Sequence, residues 1–228
     1  MNLELVVVIS SRENAGGIEK AKRLGAPTEV IRPRDYQDRE KFGEELLSAL
    51  ESHRVKVVSQ NGWLPLTPKN VVEKYSGLIV NQHPGPLDCG RPDFGGKGMY
   101  GSAAHCARVA YEWLTGEENP WTEATIHYVT AEYDKGELIK TARMNFPTLG
   151  RSITVEELAN APEELIRATE NCQRRLLPIE HRNVIAGLEM VARGEVGLGK
   201  RETPLVPRGN WDILRQAKDL AIRLFPKG

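Results

Sequence analysis

No apolar run in this 228-residue chain approaches the roughly 18 residues of a membrane-crossing helix. The start, Met1-Asn2-Leu3-Glu4, has neither the basic region nor the long apolar stretch of a secretory leader. There is no charge imbalance: Lys and Arg total 31, as do Asp and Glu, so a bulk basic footprint for nucleic acid is missing. Cysteine is scarce, and the three present (Cys89, Cys106, Cys172) have no metal-ligand spacing and are odd in number. Together these absences predict reduced thiols, a cytoplasmic location, and no membrane or nucleic-acid partner. A bound metal is not expected either, because His83, His105 and His127 are far apart and no His-x-x-x-His or carboxylate-His pair frames them.

What is present is an alternation of strand and helix patterns. Leu5-Val6-Val7-Val8-Ile9 reads as a strand covered on both faces, and Ile18 to Leu24 as a helix closed by Gly25. Glu29-Val30-Ile31 is a short strand, and Asp38 to Leu50 an amphipathic helix. Val55 to Ser59 is the next strand. Thr67 is placed to cap a helix with Pro68 at its first position, running to about Tyr75. Leu78 to Asn81 follows as a strand. This order predicts an α/β fold, Rossmann-like, with a mostly parallel sheet and helices on both faces.

From Pro84 to Gly98 the chain holds three prolines and five glycines, so it reads as a long loop of the kind usually tied to function. A helix from about Tyr100 to Leu114 comes next. Two hairpin-like strands, Ala124 to Val129 and Glu137 to Phe146, are joined by the loop 130–136. Helices are then expected over Val155 to Leu177, Pro178 to Arg193 and Trp211 to Leu224. Residues 1–195 read as one α/β domain. Residues 196–228 read as a linker and a helical extension docking through Trp211, Leu214 and Leu220.

The densest chemistry lies in Asn81-Gln82-His83-Pro84-Gly85-Pro86. Period 2 puts Asn81 and His83 on one face of a strand's end, an uncharged donor beside a base that titrates near neutrality. The prolines stop the ladder and stiffen the exit. His127 on a later strand and Asp134 in its turn also fall at or just past strand ends, where open α/β sheets place ligands. Singly, each has a plain structural reading: a core histidine, a turn aspartate. Jointly, a donor, a base and an acid fit acyl transfer.

These residues resemble the folate-dependent formyltransferase family over about residues 3 to 195. The matching segments are Asn81-Gln82-His83-Pro84, Ile126-His127-Tyr128-Val129 and Tyr133-Asp134-Lys135-Gly136. The resemblance implies transfer of a formyl group from 10-formyltetrahydrofolate, as co-substrate, to a primary amine, foremost that of glycinamide ribonucleotide in purine biosynthesis. It makes Asn81, His83 and Asp134 catalytic and His127 supporting. It puts the pterin ring against Trp63 and Leu64 on one side and Val129, Thr130, Ala131 and Tyr133 on the other. Glu180 corresponds to a helix glutamate contacting the amine. Arg91 and Lys97, in a loop longer and more charged than the family's, are candidates for an anionic substrate.

An amino-sugar N-formyltransferase and a formyltetrahydrofolate hydrolase would use the same trio. A non-catalytic folate- or partner-binding relative is the alternative of another class. A methionyl-tRNA formyltransferase fits less well, for want of a basic C-terminal domain. The first strand, ending Ser10-Ser11-Arg12-Glu13-Asn14, resembles the family's second. The family's first strand, with its Gly-Ser-Gly turn for substrate phosphate, is therefore expected to be missing, as in a fragment or late start, or to have its place filled by another element. Open sheet edges and self-association follow from that expectation.

Overall fold

The computed structural model describes residues 3–160 and 162–228, so Met1, Asn2 and Ala161 lie outside the described residues. Four strands build one sheet in the order β3 (Val58–Gln60), β4 (Ile79–His83), β5 (Trp121–Tyr128), β6 (Leu138–Asn145). β1 (Val8–Ser10) and β2 (Thr28–Val30) form a separate parallel pair. β3 and β4 are also parallel, whereas β4–β5 and β5–β6 are antiparallel. The α/β class holds. The parallel pairing belongs to the first four strands, and the expected hairpin supplies the antiparallel remainder.

Helices cover both faces, and strand alternation shows how. On β4, Ile79 packs into a cluster with Phe42, Leu46 and Leu50 of α2 (Arg39–Ser52) and Val71 of α3 (Lys69–Lys74). The next residue, Val80, points the other way, to Ile126, Ile139 and Val191 of α6 (Pro162–Ala192). A third and larger cluster joins α4 (Ser102–Thr115) to α6 and to α7 (Trp211–Leu224). The remaining helices are α1 (Gly16–Arg23) and α5 (Val155–Asn160).

Several boundaries differ from expectation for identifiable reasons. β1 is shorter than the run Leu5 to Ile9, and Leu3 and Leu5 stay exposed, because β1 pairs with β2 alone. Ile9 and Val58 pack against the same helical cluster, yet β1 and β3 are not hydrogen-bonded to each other. Asp38 caps α2 from outside, accepting from the Lys41 N–H at 2.8 Å. Thr67 does not cap α3: its hydroxyl accepts from Gln60 Nε2 at 2.6 Å, and Pro68 is itself the cap residue.

The helix expected over Val155 to Leu177 includes Ala161, and α5 and α6 lie on its two sides. Pro178 does not start a new helix; α6 runs through it. A proline removes one backbone donor, but a long helix buried along one face tolerates that loss. On α7, Leu214, Ala217, Leu220 and Ala221 are buried against α4. Trp211 is not part of that docking face: it is 43% exposed, with the Arg208 guanidinium over its ring.

Candidate active site

The antiparallel register of β4 and β5 sets Asn81 opposite His127 and His83 opposite Thr125. One strand end therefore brings Asn81, His83 and His127 together. Asp134 enters from the β5–β6 turn, held at φ 55°, a left-handed conformation that Asp tolerates better than most residues. Asn81 Nδ2 lies 3.1 Å from His127 Nε2 and 3.4 Å from Asp134 Oδ1. His83 Nδ1 lies 3.7 Å from Asp134 Oδ2, and His127 Nε2 lies 3.4 Å from Asp134 Oδ1. The Gly96 N–H donates to Asp134 Oδ2 at 2.8 Å.

Backbone carbonyls set the tautomers, since they can only accept. His83 Nε2 donates to Phe94 O at 3.2 Å, and His127 Nδ1 to Tyr128 O at 2.9 Å. His127 Nε2 is then an acceptor for Asn81. His83 Nδ1 is a bare acceptor facing a carboxylate, a place where an incoming proton is stabilised. Burial pushes the His83 imidazole down, with Asp134 opposing it, so the ring is neutral near neutral pH. Burial pushes the Asp134 carboxyl up, but His83, His127 and the Gly96 N–H outweigh it and hold the group ionised, well below the usual carboxylate range.

The cluster floors a cleft of about 530 Å³, a size suited to a small organic ligand. Trp63, Leu64, Val129, Thr130 and Tyr133 line it, and the Tyr133 hydroxyl donates to Leu64 O at 3.4 Å. Trp63 lines the cleft and also stacks on Phe42, with ring centroids 6.3 Å apart. Glu180 also lines the cleft, and Lys97 is exposed along it. Ala131 is exposed and does not line it.

Arg91 is placed away from the cleft. Its guanidinium bonds the buried Asp88 at 2.8 Å and the carbonyl of Arg201 at 2.5 Å, so it ties the 88–98 loop to the C-terminal segment. Arg201 returns the tie, donating to Leu87 O at 2.7 Å and pairing with the buried Glu123. Among the described residues no group of three His, Cys, Asp or Glu side chains is placed to hold a metal. The three cysteines are free thiols.

Sequence reasoning missed the structural role of the Gly95-Gly96 pair. A Cβ on Gly95 would lie 2.7 Å from the Asp134 Cβ, so the glycine lets the loop close over the carboxylate. It also missed Lys218. From α7 this side chain donates to Asp93 O at 3.1 Å and Gly95 O at 2.6 Å, holding the turn whose Gly96 N–H meets Asp134. Nothing in a helical Lys signals that role; only docking of α7 reveals it. Replacement Lys218→Met keeps the stem and removes the donors. It is expected to lower kcat by about tenfold or more through displacement of Asp134, with a smaller change in thermal midpoint, as read by steady-state turnover beside a melting curve.

The fold and the cluster define an α/β protein in which an amide donor, two imidazoles and a carboxylate meet at a strand end. The formyl transferase family model matches residues 1–165, and the chain belongs to that family. It is 28% identical over 197 residues to the trifunctional purine biosynthetic protein adenosine-3 of Gallus gallus, covering 86% of this chain and 16% of that protein. It is 27% identical over 208 residues to the chloroplastic phosphoribosylglycinamide formyltransferase of Arabidopsis thaliana, covering 90% of this chain and 62% of that one. The chain thus spans less than two thirds of either relative's length. Among solved structures, glycinamide ribonucleotide transformylase 1 from Symbiobacterium toebii superposes with a TM-score of 0.63 at 28% identity, covering 83% of this chain and 74% of its own.

Proposed function

We propose that this protein transfers the formyl group of 10-formyltetrahydrofolate to the primary amine of glycinamide ribonucleotide. The observation that carries the reading is the Asn81–His127–Asp134–His83 cluster on the floor of a ligand-sized cleft. The choice of acceptor follows the phosphoribosylglycinamide formyltransferase of Arabidopsis thaliana and the glycinamide ribonucleotide transformylase of Symbiobacterium toebii, which this chain resembles. Residues 1–195 are read as the catalytic unit, with 196–228 clamping its loop through Arg201 and Lys218. A cytoplasmic setting suits the free thiols.

The co-substrate brings the formyl carbon, and the walls formed by Trp63, Leu64, Val129, Thr130 and Tyr133 hold its flat ring by apolar contact and backbone groups. Both Asn81 donors are engaged within the cluster. Of the two, the 3.4 Å bond to Asp134 is the weaker. Asn81 gives up that bond and donates to the formyl oxygen as it gains negative charge, a role worth roughly 3 kcal/mol. The amine's lone pair makes the new N–C bond, and the bond from the formyl carbon to the folate nitrogen breaks. His83 takes an amine proton on Nδ1, Asp134 stabilises the imidazolium, and the proton is returned to the departing nitrogen. Lys97, exposed along the cleft, is the cation available to the substrate phosphate.

Incubation with 10-formyltetrahydrofolate and either glycinamide ribonucleotide, an amino sugar or no acceptor tests this. Release of tetrahydrofolate is expected only with the ribonucleotide. Turnover without acceptor would make the protein a hydrolase, turnover with the sugar an amino-sugar enzyme, and silence in every arm a binding protein.

A further inference from the structure

The loop 84–98 buries two carboxylates that the cluster around Asn81 does not include. Asp88 is matched by Arg91, whose guanidinium lies 2.8 Å from it. Asp93 is 1% exposed and has no such partner: Lys135 Nζ stands 3.7 Å from its Oδ1, beyond hydrogen-bond reach. Its bonds are to the main chain. Oδ2 accepts the Asp88 N–H at 2.9 Å, and Oδ1 accepts the Gly95 N–H at 3.0 Å. Between those two anchors lies Phe94, whose carbonyl accepts from His83 Nε2 at 3.2 Å. One residue further on, the Gly96 N–H donates to Asp134 Oδ2 at 2.8 Å. The Asp93 side chain therefore brackets the carbonyl that fixes the His83 tautomer, next to the N–H that orients Asp134.

We propose that Asp93 is a positioning residue for His83: its carboxylate holds the Phe94 carbonyl against Nε2–H, and its charge supports the imidazolium that forms when Nδ1 takes a proton. This rests on the formyl-transfer reading, in which His83 Nδ1 receives the amine's proton. A turn that only had to be closed could use a neutral side chain, since Asn and Ser accept the N–H two residues on as Asp does. A carboxylate buried without a direct ion pair is costly by comparison. What it adds over a neutral acceptor is a negative charge near the ring.

The electrostatics agree. Burial pushes the His83 imidazole down and His127 adds to the fall, while Asp134 and then Asp93 oppose it. The other charged or titratable groups around His83 and Asp93 come from four elements. They are Lys135 beside Asp134 in the β5–β6 turn, His127 on β5, His105 on α4 and Lys218 on α7. Lys218 donates to Asp93 O and Gly95 O, main-chain atoms, and so braces the turn from outside. Removing the Asp93 charge makes His83 a weaker base, an effect that lost packing alone does not produce.

The test is an NMR titration of the His83 ring nitrogens in wild type, Asp93→Asn, Asp93→Glu and Lys135→Met, beside kcat across pH with 10-formyltetrahydrofolate and glycinamide ribonucleotide. Wild type is expected to carry the proton of the neutral ring on Nε2. In Asp93→Asn the ring pKa is expected to fall, and part of the population to move that proton to Nδ1, facing Asp134. The acidic limb of kcat is expected to follow to lower pH, and kcat at its plateau to drop about tenfold, with KM for both substrates little changed. Asp93→Glu, which restores the charge, is expected to recover part of each change. Lys135→Met alters a partly exposed residue and carries the test if the asparagine variant does not fold. It is expected to raise the ring pKa by leaving the Asp93 charge uncompensated. A ring whose pKa and tautomer stay in place in Asp93→Asn, or whose pKa stays in place in Lys135→Met where that variant alone folds, would show that Asp93 merely closes the loop. If wild type transfers no formyl group to any acceptor, the formyl-transfer reading fails on its own, and the ring titration then judges Asp93 by itself.

Discussion

Replacement Asp134→Asn is expected to lower kcat by about 10²- to 10⁴-fold while the protein remains folded. The carboxylate is where the cluster converges: it accepts from the Gly96 N–H at 2.8 Å and from Asn81 at 3.4 Å, and it faces the bare His83 Nδ1 at 3.7 Å. An amide of the same shape presents one oxygen and one NH2. Whichever way it is turned, its NH2 meets a group that also donates, the Gly96 N–H or the Asn81 amide. It carries no charge to stabilise a protonated His83. Turnover under saturating substrate measures the loss, and a melting curve shows whether the fold survives.

The same substitution has a pH signature. The folded-state pKa of Asp134 lies below the usual carboxylate value, so the carboxyl binds protons less readily when folded than when unfolded. Its contribution to stability is therefore present in full above the unfolded value of about 4 and is lost as pH falls through the lower folded value. The stability gap between wild type and Asp134→Asn is expected to narrow on acidification below about pH 4. Denaturant titrations at neutral and acidic pH measure it; a gap that widened would show the carboxyl to be protonated in the folded state.

Replacement Asn81→Ala is expected to cost about 10²- to 10³-fold in kcat, with KM for both substrates little changed. That split identifies an interaction that strengthens only as charge develops on the formyl oxygen. His127 loses its donor at Nε2 but keeps its bond from Nδ1 to Tyr128 O, so the ring should stay oriented. A rise in KM with kcat intact would instead make Asn81 a ground-state contact.

Much of this arrangement was legible in the chain because it rests on local rules. Period 2 at Asn81 and His83, the helical stripe of α2, and the turn chemistry around Asp134 and Gly136 are short-range signals. Other features were not legible. Arg91 looked like a free cation in a charged loop, and only the fold brings Asp88 and the Arg201 carbonyl to it. Pro178 looked like a helix boundary, and burial along α6 overrode it. Trp211 looked like a docking residue, and the helix packs through its neighbours instead.

By itself, then, the sequence determined the α/β alternation and the reactive residues on β4, on β5 and in the β5–β6 turn, because strand periodicity and turn propensities act over a few residues. Only the tertiary structure decided how those residues share protons, that Lys218 on the last helix holds the loop over Asp134, and that Asp93 brackets the carbonyl beside His83 and meets Lys135. Those relations join parts of the chain far apart in sequence. Their geometry is set by which helices pack on which sheet face, and no local pattern encodes it.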